Sequence, residues 1–382
     1  MQRISTNHVL QASEQQIPSR IDSFFQHFGI GTLAHSCGIT KTKGVSQTIL
    51  FSCIFSFPFF SLNLYRCFAT QQNKDFAKDA AYDFFRSSRF SWRRFLLRLA
   101  AKVCAVFQEL TSDDLELVFM IDDSIVHRPR AKKIELLACV FDYSESKFLK
   151  CFRLLSLCWS DGNSLAPLDF VLLSSHNEKK RILGVTKQVD SRTCGAKRCQ
   201  EAIRKSTTLI GPMLRRALFA GIRAKYLLMD RWFDMPSIIA DTSEFLPVIC
   251  MVKRTSKILY RFGEERLTVD GIFRTIKQHL DLEKGCQARY FDALIAHTTI
   301  VMMRYLFLAL EQRRNDDPRI PGLLLHTCCE EMRDLDYLES LQLILILASV
   351  NLLKNKPVAE KLSQVMMAEI LKQEFYIYGL NR

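Results

Sequence analysis

The spacing of apolar residues changes near residue 113. Over residues 1–113 they recur every three or four positions, which is typical of amphipathic helices, most clearly at 21–28, 76–85 and 95–107. From Leu115 the apolar runs become short and are bounded by polar turns, as in β-strands. Four such runs occupy residues 115–121, 132–145, 147–163 and 165–175. The pattern predicts a helical N-terminal region followed by a β-meander.

Helices and strands alternate in the next part of the chain. A helix is predicted over 199–222 and a strand over 223–230, followed by a short helix at 235–240 and a strand at 246–254. A meander that leads into alternating elements is typical of a mixed sheet with helices on its faces. We therefore predict an α/β fold with three regions, which are helical residues 1–113, a sheet domain over 114–314 and a helical C-terminal extension over 315–382.

The composition is that of a folded protein with a basic excess. The 382 residues are 48% hydrophobic and 24% charged, and 53 Lys and Arg against 40 Asp and Glu give a net charge of +13. Such an excess favours a polyanionic partner, usually nucleic acid. The apolar stretches 49–65 and 341–353 are shorter than the roughly 20 residues of a membrane helix. With no signal peptide and an odd number of cysteines, 13, we expect free thiols in a reducing cytoplasm and no membrane association.

Three aspartates stand where apolar runs end. Asp122 and Asp123 follow the run LVFMI, and Asp230 follows YLLM. The ends of strands in α/β sheets often carry catalytic side chains, and two carboxylates brought together are usually bridged by divalent cations. Two Mg²⁺ ions in such a site could activate a water or a 3′-hydroxyl for attack on a phosphodiester. The alternative is that these are acidic turn residues.

Five segments together resemble the DDE transposases of bacterial insertion sequences, in the branch whose third motif is Y-x2-R-x3-E-x6-K. They are IDDSIV (121–126), CWSDGNSLAPLDF (158–170), RTCGAKR (192–198), YLLMDRWF (226–233) and residues 275–305. The resemblance implies an RNase H-like sheet in which two aspartates and a glutamate bind Mg²⁺ or Mn²⁺. It also implies hydrolysis of DNA at transposon ends and joining of those ends to a target. On this basis Asp122, near Ser124, is the first ligand and Asp230 the second, with Asp123 as the alternative first ligand.

The third motif departs from the family pattern. Lys277 occupies the lysine position, but seven residues earlier stands Asp270 in place of glutamate. Arg266 fits the arginine position, whereas Gly263 replaces tyrosine. The β-rich insertion that the family usually carries before this motif is missing, so the domain is shortened near 255–275. Either Asp270 is a shorter replacement ligand, or an internal deletion makes the partial motif accidental; we favour the deletion because Gly271 weakens a helix there.

Basic residues near these motifs are predicted to contact DNA. Phosphate contacts position a protein on DNA without reading sequence, although a solvated surface is the alternative for each cluster. The helical region before residue 113 carries further cations around Trp92, and Trp159 and Trp232 could stack on bases or pack in the core. The predicted DNA contacts are Arg128, Lys132, Lys133, Lys179, Lys180, Arg181, Arg192, Lys197, Arg198, Arg266 and Lys277.

The sequence therefore predicts a transposase that cleaves and joins double-stranded DNA with Mg²⁺ or Mn²⁺, using Asp122, Asp230 and Asp270. Its catalysis is expected to be impaired, because the third motif lacks the glutamate. We expect it in the bacterial cytoplasm with the nucleoid, as a homodimer in a synaptic complex. Two alternatives stay open. One is a DNA-binding remnant without catalysis, and the other is a nuclease of the same fold.

Overall fold

A computed structural model gives the fold of the chain. It describes residues 17–60, 76–112, 115–142, 146–185, 190–250, 270–283, 288–315 and 323–330, with 338, 341 and 342. The chain divides into two compact units, Met1–Cys328 and Cys329–Arg382. Most of the predicted C-terminal extension, 315–382, lies outside the described residues, although residues 323–330 are helical.

Six strands form one mixed sheet. They are β1 (Val118–His127), β2 (Ala138–Asp142), β3 (Lys147–Ser160), β4 (Leu165–Leu173), β5 (Tyr226–Met229) and β6 (Val248–Cys250). The strand order is β2-β3-β1-β5-β6, and β4 also pairs with β3. The first four strands pair antiparallel, whereas β5 pairs parallel with both β1 and β6. The predicted α/β class and RNase H-like mixed sheet with flanking helices are confirmed.

Ten α-helices lie before residue 316 in the described part of the chain, and the helical residues 323–330 follow them. The ten helices are α1 (Ile17–His27), α2 (Ile30–Ser36), α3 (Gln47–Ser56), α4 (Lys78–Phe85), α5 (Trp92–Glu109), α6 (Cys194–Ala202), α7 (Ile210–Phe219), α8 (Pro236–Ser243), α9 (Asp270–Gln278) and α10 (Phe291–Arg314). Helix α5 shows why the apolar spacing matters, because Phe95, Leu99 and Val103 lie on one face and are fully buried. That face packs against α10 and β4.

Helix α10 is the central helix of the first unit. Its 24 residues are long and apolar enough to cross a membrane by length and composition, but its apolar window is completely buried inside the protein. A helix that is apolar on all sides needs such an environment. In this fold α10 therefore acts as a core helix against which the sheet and the N-terminal helices pack.

The N-terminal helices share this core. The Phe307 ring of α10 lies 5.4 Å from the Phe24 ring and 5.9 Å from the Phe55 ring, measured between centroids. Arg304 of α10 is buried and donates hydrogen bonds to the carbonyls of Ile54 and Phe55, at the end of α3. Carbonyls at the end of a helix lack hydrogen-bond partners within that helix. The Arg304 guanidinium donates the missing hydrogen bonds. Burial lowers the pKa of Arg304 to about 9. The helices before residue 113 are thus packed into the same unit as the sheet.

An ion-pair network around a buried carboxylate joins β4 to three helices. Asp169 on β4 is 1% exposed, and its oxygens accept hydrogen bonds from Arg93 Nε (3.0 Å) and Arg216 Nε (2.9 Å). Glu201 on α6 binds Arg93 from the other side through two hydrogen bonds. Arg93, one of the cations around Trp92, therefore serves the fold rather than a phosphate. The network links α5, α6 and α7 to the sheet.

We expect Asp169→Asn to lower the free energy of unfolding by about 1.5–3 kcal/mol, because the buried side chain loses the negative charge that accepts from Arg93 and Arg216, while Arg93 keeps its bonds to Glu201. Urea denaturation followed by circular dichroism measures this change. The matched control is Glu116→Gln, which removes a surface carboxylate paired with the exposed Lys225 and should leave the midpoint unchanged. Equal midpoints for the two variants would show that the Asp169 network does not stabilise the fold.

Candidate active site

Strands β1 and β5 bring Asp122 and Asp230 together. The strands pair in parallel, with Ile121 opposite Met229, so the next position on each chain is 122 and 230. Strand β5 ends at Met229 as predicted, but β1 continues through both aspartates to His127, which corrects the expectation that it stops at Asp122. Asp122 is half-buried inside the sheet, and Asp230 is exposed at the end of its strand.

The two neighbouring aspartates of β1 lie on opposite faces of the sheet, because successive side chains of a strand alternate. Asp123 forms an ion pair with Arg153 of β3, whose Nε lies 2.7 Å from Asp123 Oδ2. Asp122 shares its face with Ser124, and Ser124 Oγ accepts a hydrogen bond from Lys277 Nζ at 2.5 Å. Asp122 is therefore the aspartate that faces α9 and its lysine.

Lys277 is a half-buried cation beside acidic groups. Burial lowers its pKa below the ordinary lysine value, and the carboxylates of Glu283, Asp142 and Asp122 oppose this shift. A lysine ammonium held near Asp122 can donate a hydrogen bond to an anionic substrate oxygen. Lys277 is thus a predicted DNA-contacting cation that lies on the Asp122 face of β1.

Helix α9 is fixed beside β1 by the turn that follows it. Arg128, at the end of β1, is buried and donates to the carbonyls of Leu282 (2.9 Å) and Glu283. The backbone N–H of His127 donates to Glu283 Oε1 at 2.9 Å. Arg128 therefore has an internal role, and we remove it from the proposed DNA contacts.

Helix α10 holds the same turn from its other side. The His297 ring makes a 3.1 Å hydrogen bond with the carbonyl oxygen of Asp281. Burial lowers the pKa of His297 to about 3, and the nearby charges of Arg304 and Arg128 act in the same direction, so the ring is neutral. Within α9, Phe273 and Ile276 are buried. The expectation that this motif lacks a packed helix is therefore corrected.

The third predicted ligand stands at the start of α9, whose first residue is Asp270. Positions 270 and 277 are seven residues apart, so they lie on the same helix face at an axial distance of roughly 10.5 Å. The side chain of Asp270 lies outside the description, as do residues 251–269, which include Glu264, Glu265, Arg266 and most of the predicted shortening near 255–275.

The donor atoms at Asp122 and Asp230 fit a divalent cation. Carboxylate oxygens are the ligands that Mg²⁺ prefers, and Ser156, opposite Asp122 on β3, adds a hydroxyl. Ser156 is fully buried, and its Oγ has no hydrogen-bond partner among the described residues. Within those residues no group of three or more histidine, cysteine, aspartate or glutamate side chains is arranged to hold a metal. Asp270, the third ligand predicted from the sequence, has its side chain outside the described residues.

Four exposed lysines form a basic rim near the end of β1. They are Lys132, Lys133, Lys179 and Lys180. The loop after β1 and the segment after Lys180 are joined by backbone hydrogen bonds, from Ile182 N to Leu137 O and from Leu136 N to Leu183 O. Lys180 Nζ also lies 5.7 Å from the ring centroid of Phe148, which is 60% exposed. The rim therefore lies beyond the carboxyl end of β1, which continues five residues past Asp122.

The remaining predicted DNA contacts have different surroundings. Arg198 is buried, donates to the carbonyl of Phe90 at 2.8 Å and pairs with Asp292. Burial raises the pKa of Asp292, whereas the nearby Arg198 charge lowers it. We remove Arg198 from the DNA contacts. Arg181 pairs with Glu178 and the exposed Arg192 pairs with Asp190, whereas Lys197 is exposed.

A protein-family comparison agrees with this geometry. The family described as DDE superfamily endonuclease matches residues 66–268, just over half of the chain. The chain belongs to the DDE superfamily of endonucleases. The matched residues include Asp122 and Asp230 and end two positions before Asp270. No curated protein sequence matches this DDE endonuclease.

Three residues that shape the candidate site were not predicted from the sequence. Arg153 neutralises Asp123, Glu283 binds the end of β1, and Ser156 lies opposite Asp122. Each acts through pairing between segments far apart in the chain. The alternation of side chains along an extended β1 is the sequence signal that could have separated Asp122 from Asp123.

We expect Asp122→Asn or Asp230→Asn to abolish Mn²⁺ binding, because each change removes a charged oxygen ligand. Asp123→Asn is the matched control and should retain binding, since its carboxylate is engaged by Arg153. Titration of Mn²⁺ followed by electron paramagnetic resonance measures the free ion. Loss of binding in the Asp123 variant alone would make Asp123 the ligand.

Proposed function

We propose that this DDE endonuclease is the transposase of a bacterial insertion sequence, which cuts DNA at the ends of the element and joins them to a target. The observation that carries the proposal is the parallel register that brings positions 122 and 230 together. The resemblance of segments around both aspartates to insertion-sequence transposases supports this activity over other reactions of the superfamily.

We propose that Asp122 and Asp230 hold the catalytic Mg²⁺ or Mn²⁺, with Asp270 as the third carboxylate. When bound, such ions activate the attacking hydroxyl and stabilise the leaving oxygen of a phosphodiester. The support for Asp270 is positional, because α9 begins there and its turn is fastened to β1 and α10. The internal-deletion interpretation of the third motif stays a prediction, because residues 251–269 lie outside the described residues.

In the proposed reaction, Lys277 contacts the substrate phosphate and Ser124 holds Lys277 in place. Ser124 Oγ accepts one hydrogen bond from the Lys277 ammonium, which leaves further N–H donors for a phosphate oxygen. The hydrogen bond holds the ammonium on the Asp122 face of β1. We propose that Lys277 binds the phosphate next to the cut and retains its proton, while Ser124 positions it.

The basic rim would hold the DNA backbone. Its four lysines are exposed and lie beyond the carboxyl end of β1, so a duplex that enters the site would pass them. We propose that Lys132, Lys133, Lys179 and Lys180 contact phosphates, with Arg192 and Lys197 as further contacts. Such contacts give affinity that depends on salt and not on sequence.

We expect the double variant Lys179→Gln/Lys180→Gln to weaken DNA binding and to make its salt dependence shallower. Each lost phosphate contact should reduce the log–log slope by about 0.9. Fluorescence anisotropy with a duplex at several salt concentrations measures the slope. The charge-matched control is Arg223→Gln/Lys225→Gln, at the opposite end of β5, which should keep the slope. An equal reduction in both variants would argue against a rim that contacts DNA.

We expect Asp270→Ala to abolish cutting of supercoiled DNA that carries the ends of the element, without loss of DNA affinity, because the metal ligands set the rate more than the affinity. Asp270→Glu should cut at least as well as the natural chain. Agarose gels with Mn²⁺ measure nicking, and Asp241→Ala, in an exposed part of α8, is the control.

The DNA products of the same assay distinguish strand transfer from hydrolysis. Products in which the cut end is joined to new DNA support the transposase, whereas hydrolysed ends alone would restrict the activity to an endonuclease. Cutting that survives Asp270→Ala would exclude Asp270 from the site. A chain that binds DNA but does not cut it, even as Asp270→Glu, would be a DNA-binding protein without catalysis.

A further inference from the structure

Ser156 is a buried serine in the middle of the sheet, directly opposite the proposed ligand Asp122. Strand β3 pairs antiparallel with β1, and the register places Ser156 level with Asp122. Side chains at paired positions of neighbouring strands project from the same face of the sheet. The Ser156 hydroxyl and the Asp122 carboxylate are therefore neighbours on the face that Lys277 approaches.

The hydroxyl of Ser156 makes no hydrogen bond within the described part of the chain. The residue is fully buried, and its Oγ has no partner there. A buried hydroxyl without a partner lowers the stability of a fold, so its presence in a native protein calls for an explanation. On the β4 side Ser156 is paired with Phe170, whose side chain offers no acceptor. On the β1 side the neighbouring group is the Asp122 carboxylate, which is an acceptor.

The electrostatic influence of Asp122 reaches across to β3. Burial raises the pKa of Cys158, and the negative charge of Asp122 raises it further. Cys158 lies two positions after Ser156, on the same face of β3. Asp122 Oδ1 also accepts a hydrogen bond from the backbone N–H of Asp123 at 2.7 Å. A second donor, from the β3 side, would fix the orientation of this carboxylate.

The position of Asp230 decides how the hydroxyl could act on a metal site. Strands β3 and β5 flank β1 on its two sides, so Ser156 and Asp230 stand on opposite sides of Asp122. Neighbouring strands are roughly 4.8 Å apart, and an ion held between Asp122 and Asp230 lies beyond Asp122 as seen from Ser156. The hydroxyl can therefore reach the carboxylate and not the ion.

We propose that Ser156 is a positioning residue, whose hydroxyl donates to the Asp122 carboxylate when the metal ion binds and holds that carboxylate in the binding orientation. This inference rests on the proposed metal site. Carboxylates that bind metals are commonly held by hydrogen bonds from neighbouring groups, and loss of such a partner costs about 10- to 100-fold in metal affinity. The sheet thus keeps a hydroxyl that destabilises the metal-free fold because it orders a ligand.

Two alanine substitutions on β3 test this role. Ser156→Ala should weaken Mn²⁺ binding by about 10-fold or more, and it should raise the thermal midpoint of the metal-free protein by roughly 1–3 °C because the unpartnered hydroxyl is removed. Ser160→Ala is the matched control. The buried Ser160 hydroxyl donates to the Ser164 carbonyl at 2.8 Å and accepts from the Gly162 N–H. Its loss should lower the midpoint and leave Mn²⁺ affinity unchanged.

Electron paramagnetic resonance of free Mn²⁺ and scanning calorimetry in a chelator measure the two quantities. Ser156→Cys should give an intermediate Mn²⁺ affinity, because a thiol of similar size is a weaker donor. Equal Mn²⁺ affinity of Ser156→Ala and the natural chain would refute the positioning role, although the proposed metal site would stand. Equal losses of affinity in Ser156→Ala and Ser160→Ala would also refute it, since any disturbance of β3 would then have the same effect. If the natural chain binds no Mn²⁺, the proposed metal site and the positioning role both fail.

Discussion

The parallel pairing of β1 with β5 is the constraint on which the candidate site depends. Parallel strands need a long crossover connection, and here β2, β3, β4, α6 and α7 lie between the two along the chain. The register places position 122 level with position 230, so two acids from distant segments meet at one end of the sheet. Carboxylates in that arrangement repel each other, and a divalent cation is the usual partner that stabilises them. A divalent cation bound there, as we propose, would offset the repulsion between the two carboxylates.

The basic charge of the chain serves two purposes. Some cations hold the fold together, as Arg128 does at the turn after α9 and Arg198 does with Asp292. Buried guanidinium groups of this kind depend on carbonyl and carboxylate partners, since an unpaired buried charge costs several kcal/mol. Other cations stay at the surface, and those of the basic rim lie beyond the carboxyl end of β1. Among the described residues three cations are buried, against five acids, so burial does not reduce the basic excess at the surface.

Local patterns of the sequence predicted most of the sheet, because strand runs and turns depend on nearby residues. They also singled out Asp122 and Asp230, two positions that the parallel register brings level. Three features of the structure could not be predicted from local sequence patterns. Strand β1 continues through Asp122 and Asp123, since its pairing with β3 and β5 tolerates acids that would otherwise mark a turn. The burial of Arg198 depends on Asp292, 94 residues away. Helix α9 packs despite Gly271 because Phe273 and Ile276 enter the core and Arg128 fastens the turn that follows.

Iron-directed cleavage of the polypeptide would test most directly whether Asp122 and Asp230 share one metal site. Fe²⁺ is bound in place of Mg²⁺, and ascorbate with peroxide then generates hydroxyl radicals that cut the backbone beside the ion. We expect polypeptide fragments that end near residues 122 and 230. Both cuts should form together, and excess Mg²⁺ should suppress both. Cuts near one of these residues without the other, or cuts elsewhere that Mg²⁺ does not suppress, would contradict the shared metal site.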